Sequence, residues 1–176
     1  MTNIDQSLLT SPATKVIVAL GANLGDSATR IREAIKQLDG LAVLPICRSS
    51  LWQSTPVDCP PDSPPFVNAA VAFEPAAGET PESLLAKLQA LEIEFGRRPK
   101  EVLNEPRPLD LDLIAFGTEV RSTPELTLPH PRAHLRRFVL EPMNEIAPDF
   151  VLPGQTKSVC QLLADLRTDE VLRRIS

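Results

Sequence analysis

The chain has 176 residues, a net charge of −5, 43% hydrophobic residues and 23% charged ones. That length suits one domain, the apolar share supports a packed core, and the negative balance excludes a general nucleic-acid binder, which needs a basic face. Its three cysteines, Cys47, Cys59 and Cys160, are widely spaced with no Cys-x-x-Cys pair, which speaks against a zinc site or a disulfide framework and fits a reducing cytoplasm.

No apolar run approaches the ~20 residues of a membrane span. Residues 1–14 are polar and carry Asp5, so they read as a flexible tail rather than a secretion signal. Residues 15–176 are then one domain, expected to be a monomer with neither membrane nor nucleic acid as partner.

Lys15 to Leu20 is a β-branched run ending at Gly21, and predicts a buried strand. After the turn Gly21 to Gly25, Asp26 or Ser27 can cap a helix to about Leu38, with Ile31, Ile35 and Leu38 on one face. Asp39-Gly40 stops it. Leu41 to Gln53 has β character, broken by Pro45. Ser54 to Pro65 holds five prolines in twelve residues, which dictates an irregular loop. Phe66 to Phe73 predicts a second long strand. Thr80-Pro81 places a capping hydroxyl before proline at the first helical position, and Leu84, Leu85, Leu88, Leu91 and Phe95 form the stripe of a helix ended by Gly96. Arg97 to Pro108 is a second irregular loop, and Leu109 to Phe116 a third strand. Glu119-Val120-Arg121 is a short partner strand and Leu126 to His130 is extended. Arg132 to Glu145 reads as helical in its first part, and Ser158 to Leu166 as a last amphipathic helix. The order predicts an α+β sandwich of βαββαβ type with an added C-terminal hairpin and helices.

The densest chemistry lies in Arg107-Pro-Leu-Asp-Leu-Asp-Leu-Ile114. Alternation on a strand puts Leu109, Leu111 and Leu113 on one face and Asp110 and Asp112 on the other. Two like charges side by side need an offset, either solvent on an edge strand or a hard divalent cation. Of the 18 Lys and Arg, eight fall between Arg97 and Arg137: Arg97, Arg98, Lys100, Arg107, Arg121, Arg132, Arg136 and Arg137. Carboxylates ringed by guanidinium groups suit a metal-bridged polyphosphate. No Walker sequence is present, so this is not a P-loop enzyme.

With these residues in hand, the chain resembles the 6-hydroxymethyl-7,8-dihydropterin pyrophosphokinases of folate synthesis. Six motifs stand in family order: Leu20 to Gly25, Ser54 to Val57, Phe66 to Val71, Gln89 to Gly96, Arg107 to Asp112, and Leu128-Pro-His130 followed by Phe138. The resemblance implies a ferredoxin-like fold. It also implies transfer of the β,γ-diphosphate of ATP to the pterin hydroxymethyl group, with release of AMP. It implies two Mg²⁺ ions on Asp110 and Asp112, with Arg97 and Arg107 as their catalytic companions. The pterin would stack between Phe66 and Phe138, its edge read by Asn68 and by Ser54, Thr55 and Val57. For ATP the family positions fall on Gln89, Glu92, Arg97, Arg107, Leu113, Thr127, His130 and Arg136.

The departures lie in loops. Pro99 stands where many members have a second arginine, Asn104 where some have tryptophan, and Asp58 where glycine often follows Pro-Val. Both loops are expected to move, with the Arg97 loop closing only over both substrates and its cations ordered only by polyphosphate. Two other readings use the same residues. One is a Mg²⁺-dependent phosphohydrolase with water as nucleophile. The other is a nucleotide-sensing module without turnover.

Overall fold

In the computed structural model, which describes residues 14–99 and 101–176, the spine is β1 (Val16–Ala22), buried along almost its whole length. A strand covered on both faces must be apolar throughout rather than alternating, which is why Val-Ile-Val-Ala-Leu reads as a continuous run. The proposed tail lies outside the described residues except for Thr14, and so does Lys100.

Helix α1 (Ser27–Asp39) starts at Asp26, whose carboxylate accepts the Thr29 N–H at 3.2 Å, and buries Ile31, Ala34, Ile35 and Leu38. Strands β2 (Cys47–Arg48) and β3 (Trp52–Ser54) follow. They pair with the same neighbour, β4 (Phe66–Phe73), as one strand interrupted at residues 49–51. Helix α2 (Pro81–Glu94) opens on a reciprocal Thr80–Ser83 capping box with proline in its first turn, satisfying N–H groups that a helix start leaves unpaired. Gly96, at φ +94°, turns the chain away from it in the left-handed region that favours glycine. Strand β5 (Asp110–Phe116) is followed by a two-stranded hairpin of β6 (Arg121–Ser122) and β7 (Thr127–Leu128).

The main sheet runs β5-β1-β4-β3-β8, where β8 (Leu172–Arg174) is a final edge strand absent from the expected element list. Its pairings are antiparallel. Helices α1 and α2 cover one face over Val16, Val18, Leu20, Leu111 and Leu113. The other face, with Ile17, Ala19, Ala70 and Ile114, is covered by α3 (Arg137–Ile146) and α4 (Val159–Asp165). None of the described helices is long and apolar enough to cross a membrane.

One expectation is corrected here. The first part of 132–145 forms only a 3₁₀ turn at Ala133–Leu135, and the helix occupies the second part. Pro142 sits inside that helix, where its missing N–H and ring ordinarily cost ~3 kcal/mol. Burial of Val139, Leu140 and Met143 against the sheet outweighs that cost.

Candidate active site

Asp110 and Asp112 share the sheet face that carries α3, and the ladder shows what lies beside them. Across the strands Asp110 stands opposite Gly21, Gly21 opposite Asn68, and Asn68 opposite Trp52, while Ser54 stands opposite Phe66. Neighbouring strands are ~4.8 Å apart, so the carboxylate row and the amide row are separated by about 10 Å, two strand spacings. Gly21 occupies the gap. A Cβ there would meet Asn68 Oδ1 at 3.7 Å and the Phe66 ring at 3.9 Å, so its absence keeps this floor low.

Above the row is a cavity of about 580 Å³. Asp110, Asp112, Arg97, Arg107, Gln89, Glu92, His130 and Arg136 border it, and so do Ser54, Thr55, Val57, Phe66, Asn68 and Phe138. The two remaining expected residues, Leu113 and Thr127, border a neighbouring cleft of about 260 Å³ that shares Asp112 and His130. Because β5 is the edge strand, this cleft wraps around it and takes residues from both its faces. Phe66 and Phe138 are each partly buried with surface on the cavity, and Phe138 also packs against the core beneath α3.

The carboxylates differ in surroundings. Asp110 is paired with Arg97 at 3.1 Å and Arg107 at 3.2 Å. Asp112 has no such ion pair among the described residues; burial first, then the charge of Asp110, pushes its carboxyl up to about 7. A half-buried carboxyl whose charge is disfavoured beside the ion-paired Asp110 makes a pair that a hard cation would relieve. Among the described residues no third His, Cys, Asp or Glu joins them in a metal-binding group, so a hard cation held by this pair would take its remaining positions from water or substrate oxygens.

Arg97 does not wait for a polyphosphate to be ordered. It forms a close ion pair with Glu92 as well as with Asp110. Glu92 is itself buried, which raises its carboxyl, and its Oε1 accepts the Leu111 N–H at 2.8 Å. It therefore ties α2 to the edge of β5 and aims Arg97 at Asp110. Glu92→Ala is expected to lower stability by ~1–3 kcal/mol, since it strands a buried amide and a guanidinium. A urea midpoint equal to wild type would refute that role for the Glu92 carboxylate.

His130 is held neutral, its imidazole pushed down to about 4 by burial and then by the cations Arg136 and Arg132. Its Nδ1 accepts the Arg132 N–H at 3.2 Å, so the proton resides on Nε2 and makes that atom a donor. Arg136 stacks over the Phe138 ring at 5.4 Å from its centroid, which joins the cationic end of the cavity to its aromatic end.

Asn68 is held from across the ladder. Its amide nitrogen is already committed to Ser54 Oγ at 2.7 Å and Trp52 O at 3.3 Å, so the carbonyl oxygen is the group left to address a ligand. Two of the three loop departures meet each other: Asn104 Nδ2 donates to Asp58 O at 2.7 Å, with both residues at positive φ. Asn23 links the same loops to the end of β1, donating to Pro64 O at 3.3 Å and accepting the Arg107 N–H at 2.9 Å. Sequence reasoning missed Glu170 in the cavity wall, for which no local signal exists. It also placed Arg132 only among the nearby cations.

The family model for 7,8-dihydro-6-hydroxymethylpterin-pyrophosphokinase matches residues 17–148. The chain is 38% identical over 147 residues to the 2-amino-4-hydroxy-6-hydroxymethyldihydropteridine pyrophosphokinase of Synechocystis sp., covering 84% of this chain and 73% of that one. It is 40% identical over 143 residues to the Pseudomonas aeruginosa protein of the same name, covering 79% and 84%. Among solved structures it resembles an HPPK-DHPS in complex with substrates, with a TM-score of 0.65 and 11% identity over 88% of this chain. It also resembles the wild-type Plasmodium falciparum HPPK-DHPS, with a TM-score of 0.65 and 13% identity over 86% of this chain. The chain spans 43% and 41% of those two proteins, so this likeness concerns the fold of one part of them. On the extent of the family match and the identity to these relatives, the chain belongs to the 7,8-dihydro-6-hydroxymethylpterin-pyrophosphokinase family.

Proposed function

We infer that the chain transfers the diphosphate of ATP to the hydroxymethyl group of 6-hydroxymethyl-7,8-dihydropterin, a step of folate synthesis. An oxygen–phosphorus bond forms at the β-phosphorus, and the bond to the α–β bridging oxygen breaks to release AMP. One observation carries the reading beyond family membership: a single cavity has paired carboxylates and guanidiniums at one end and two half-buried rings with an amide at the other.

The roles follow from placement. Asp110 and Asp112 hold Mg²⁺, and we assign them two ions. When bound, those ions neutralise developing charge on the transferred group and orient its oxygens. Arg97 and Arg107, aimed into the cavity by Glu92 and Asp110, bind phosphate oxygens through their planar forks. Gln89, Glu92, Leu113, Thr127, His130 and Arg136 surround the nucleotide, with neutral His130 donating from Nε2. Phe66 and Phe138 sandwich the pterin, while Asn68 Oδ1 and the backbone at Ser54, Thr55 and Val57 read its edge. The strand order β5-β1-β4-β3, with α1 and α2 on one face, supports a ferredoxin-like description. Both cores lie on one sheet, which supports reading residues 15–176 as one domain.

The test is incubation with ATP, Mg²⁺ and the hydroxymethyl dihydropterin. AMP formed only when the pterin is present is the expected result. Inorganic phosphate from ATP alone would identify a phosphohydrolase instead. ATP binding that survives Asp110→Ala, with no turnover in wild type, would identify a sensing module.

A further inference from the structure

The segment that closes the described chain lies beyond the residues matched by the family model, yet it touches both walls of the ring-binding end of the cavity. Strand β8 pairs with β3, placing Leu172 opposite Ser54. The pairing is extended by hydrogen bonds of 2.9 Å from Leu51 N to Ser176 O and from Ile175 N to Leu51 O. Two residues before β8, Glu170 turns to the other wall. Its Oε2 accepts the Phe138 N–H at 3.1 Å, and its carbonyl accepts from Arg137 Nη1 at 3.4 Å.

Helix α3 begins without a side-chain cap of its own, since Arg136 occupies the cap position and makes no such bond. A helix start leaves N–H groups unpaired and favours negative charge. Glu170 supplies both needs from a distance of 32 residues. It also borders the cavity and stands among the carboxylates around Arg136. Phe138 is the second residue of that helix, so whatever fixes the amide of Phe138 fixes the height of its ring.

We propose that Glu170 is a positioning residue for the pterin site, a cap supplied by the C-terminal segment that sets the Phe138 ring at a fixed distance from the Ser54–Asn68 wall. This rests on the reading of Phe138 as a pterin-stacking ring.

The test compares Glu170→Ala, Glu170→Gln, Glu170→Asp, Phe138→Ala and the Glu170→Ala/Phe138→Ala double variant, in the full chain. Dissociation constants are read for the hydroxymethyl dihydropterin and, separately, for an unreactive ATP analogue. Glu170→Ala is expected to weaken pterin binding about tenfold, the scale of a lost helix cap, with a smaller loss for the ATP analogue transmitted through Arg136 on the same ring. Glu170→Gln keeps an acceptor oxygen and should retain most of the affinity. Glu170→Asp, too short to reach, should lose as much as alanine. In the Phe138→Ala background the Glu170 effect should vanish, because it acts through that ring.

A pterin affinity unchanged in Glu170→Ala but weakened in Phe138→Ala would overturn this proposal and leave the pterin reading standing. An unchanged affinity in Phe138→Ala would overturn both. Equal losses for both ligands, or additive losses in the double variant, would show that Glu170 supports the fold at large and not the ring. If the alanine variant does not fold, the Gln and Asp variants decide alone: equal affinities in the two would refute the cap.

Discussion

Asp112→Asn is expected to abolish turnover and yet raise the melting temperature of the ligand-free protein. Loss of turnover follows from losing one of the paired β5 carboxylates on the cavity. The gain in stability follows from burial. In the fold the Asp112 carboxyl is pushed up to about 7, while in the unfolded chain it titrates near ~3.9. A carboxyl raised in this way binds its proton more tightly when folded, so its own contribution to stability is full at low pH and is lost as pH rises between the two values. The Asn variant has no proton to lose there. Its advantage should therefore open from about pH 4, grow to about pH 7 and stay level above it. At the plateau ~1 kcal/mol or more is expected, which is about 2–4 °C or more for a domain of this size.

Asp110→Asn should match it in lost turnover but not in stability. It relieves Asp112 of a neighbouring charge, and it also removes a partner from Arg97, which keeps Glu92, and from Arg107. Thermal melts across pH in the presence of a chelator, with AMP assays alongside, measure both effects. Full activity in both variants would refute the metal-binding role. A melting temperature for Asp112→Asn at or below wild type at pH 8 would refute the buried-charge account. Mg²⁺ with an unreactive ATP analogue should then stabilise wild type and neither variant, since a ligand stabilises only the state that binds it.

The second large effect belongs to the rings. Phe66→Ala and Phe138→Ala are each expected to weaken pterin binding by ~1–3 kcal/mol through lost stacking and apolar contact, with little change in ATP affinity from Phe66→Ala. Phe138→Ala differs because Arg136 rests on that ring. Freeing this guanidinium should cost some nucleotide affinity as well, which makes Phe138 the side chain through which the two subsites communicate. Direct titration of each ligand against each variant checks this. Loss of the folded state in both variants would show that the rings serve the core, against their partial exposure on the cavity.

Much of the frame was legible in local signals. The run after Lys15 became β1, Phe66–Phe73 was matched in full, and the Asp26 and Thr80 caps began α1 and α2 where expected. These features depend on a few neighbouring residues. The site was half legible in the same way: alternation alone put Asp110 and Asp112 on one face, opposite the buried Leu111 and Leu113. The motif order brought in the rings and the nucleotide residues, and the cavities gather them.

Only the tertiary structure decided the rest. Leu172-Arg-Arg174 has no strand periodicity of its own and becomes β8 because the edge of β3 offers unpaired backbone groups. Pro142 argues for a helix end, and α3 continues through it because the sheet face needs covering. Asn68 was readable as a polar residue in an apolar strand, but which of its atoms remained for a ligand depended on Ser54 and Trp52 across the ladder. Glu170 carried no signal at all, since its partner lies 32 residues away. Periodicity and caps are short-range, so the sequence by itself determined the elements and the face of the carboxylates. Edge pairing, burial and capping at a distance exist only once the chain has closed on itself, so the fold decided where the second core sits, which groups keep their charge, and what holds the Phe138 ring in place.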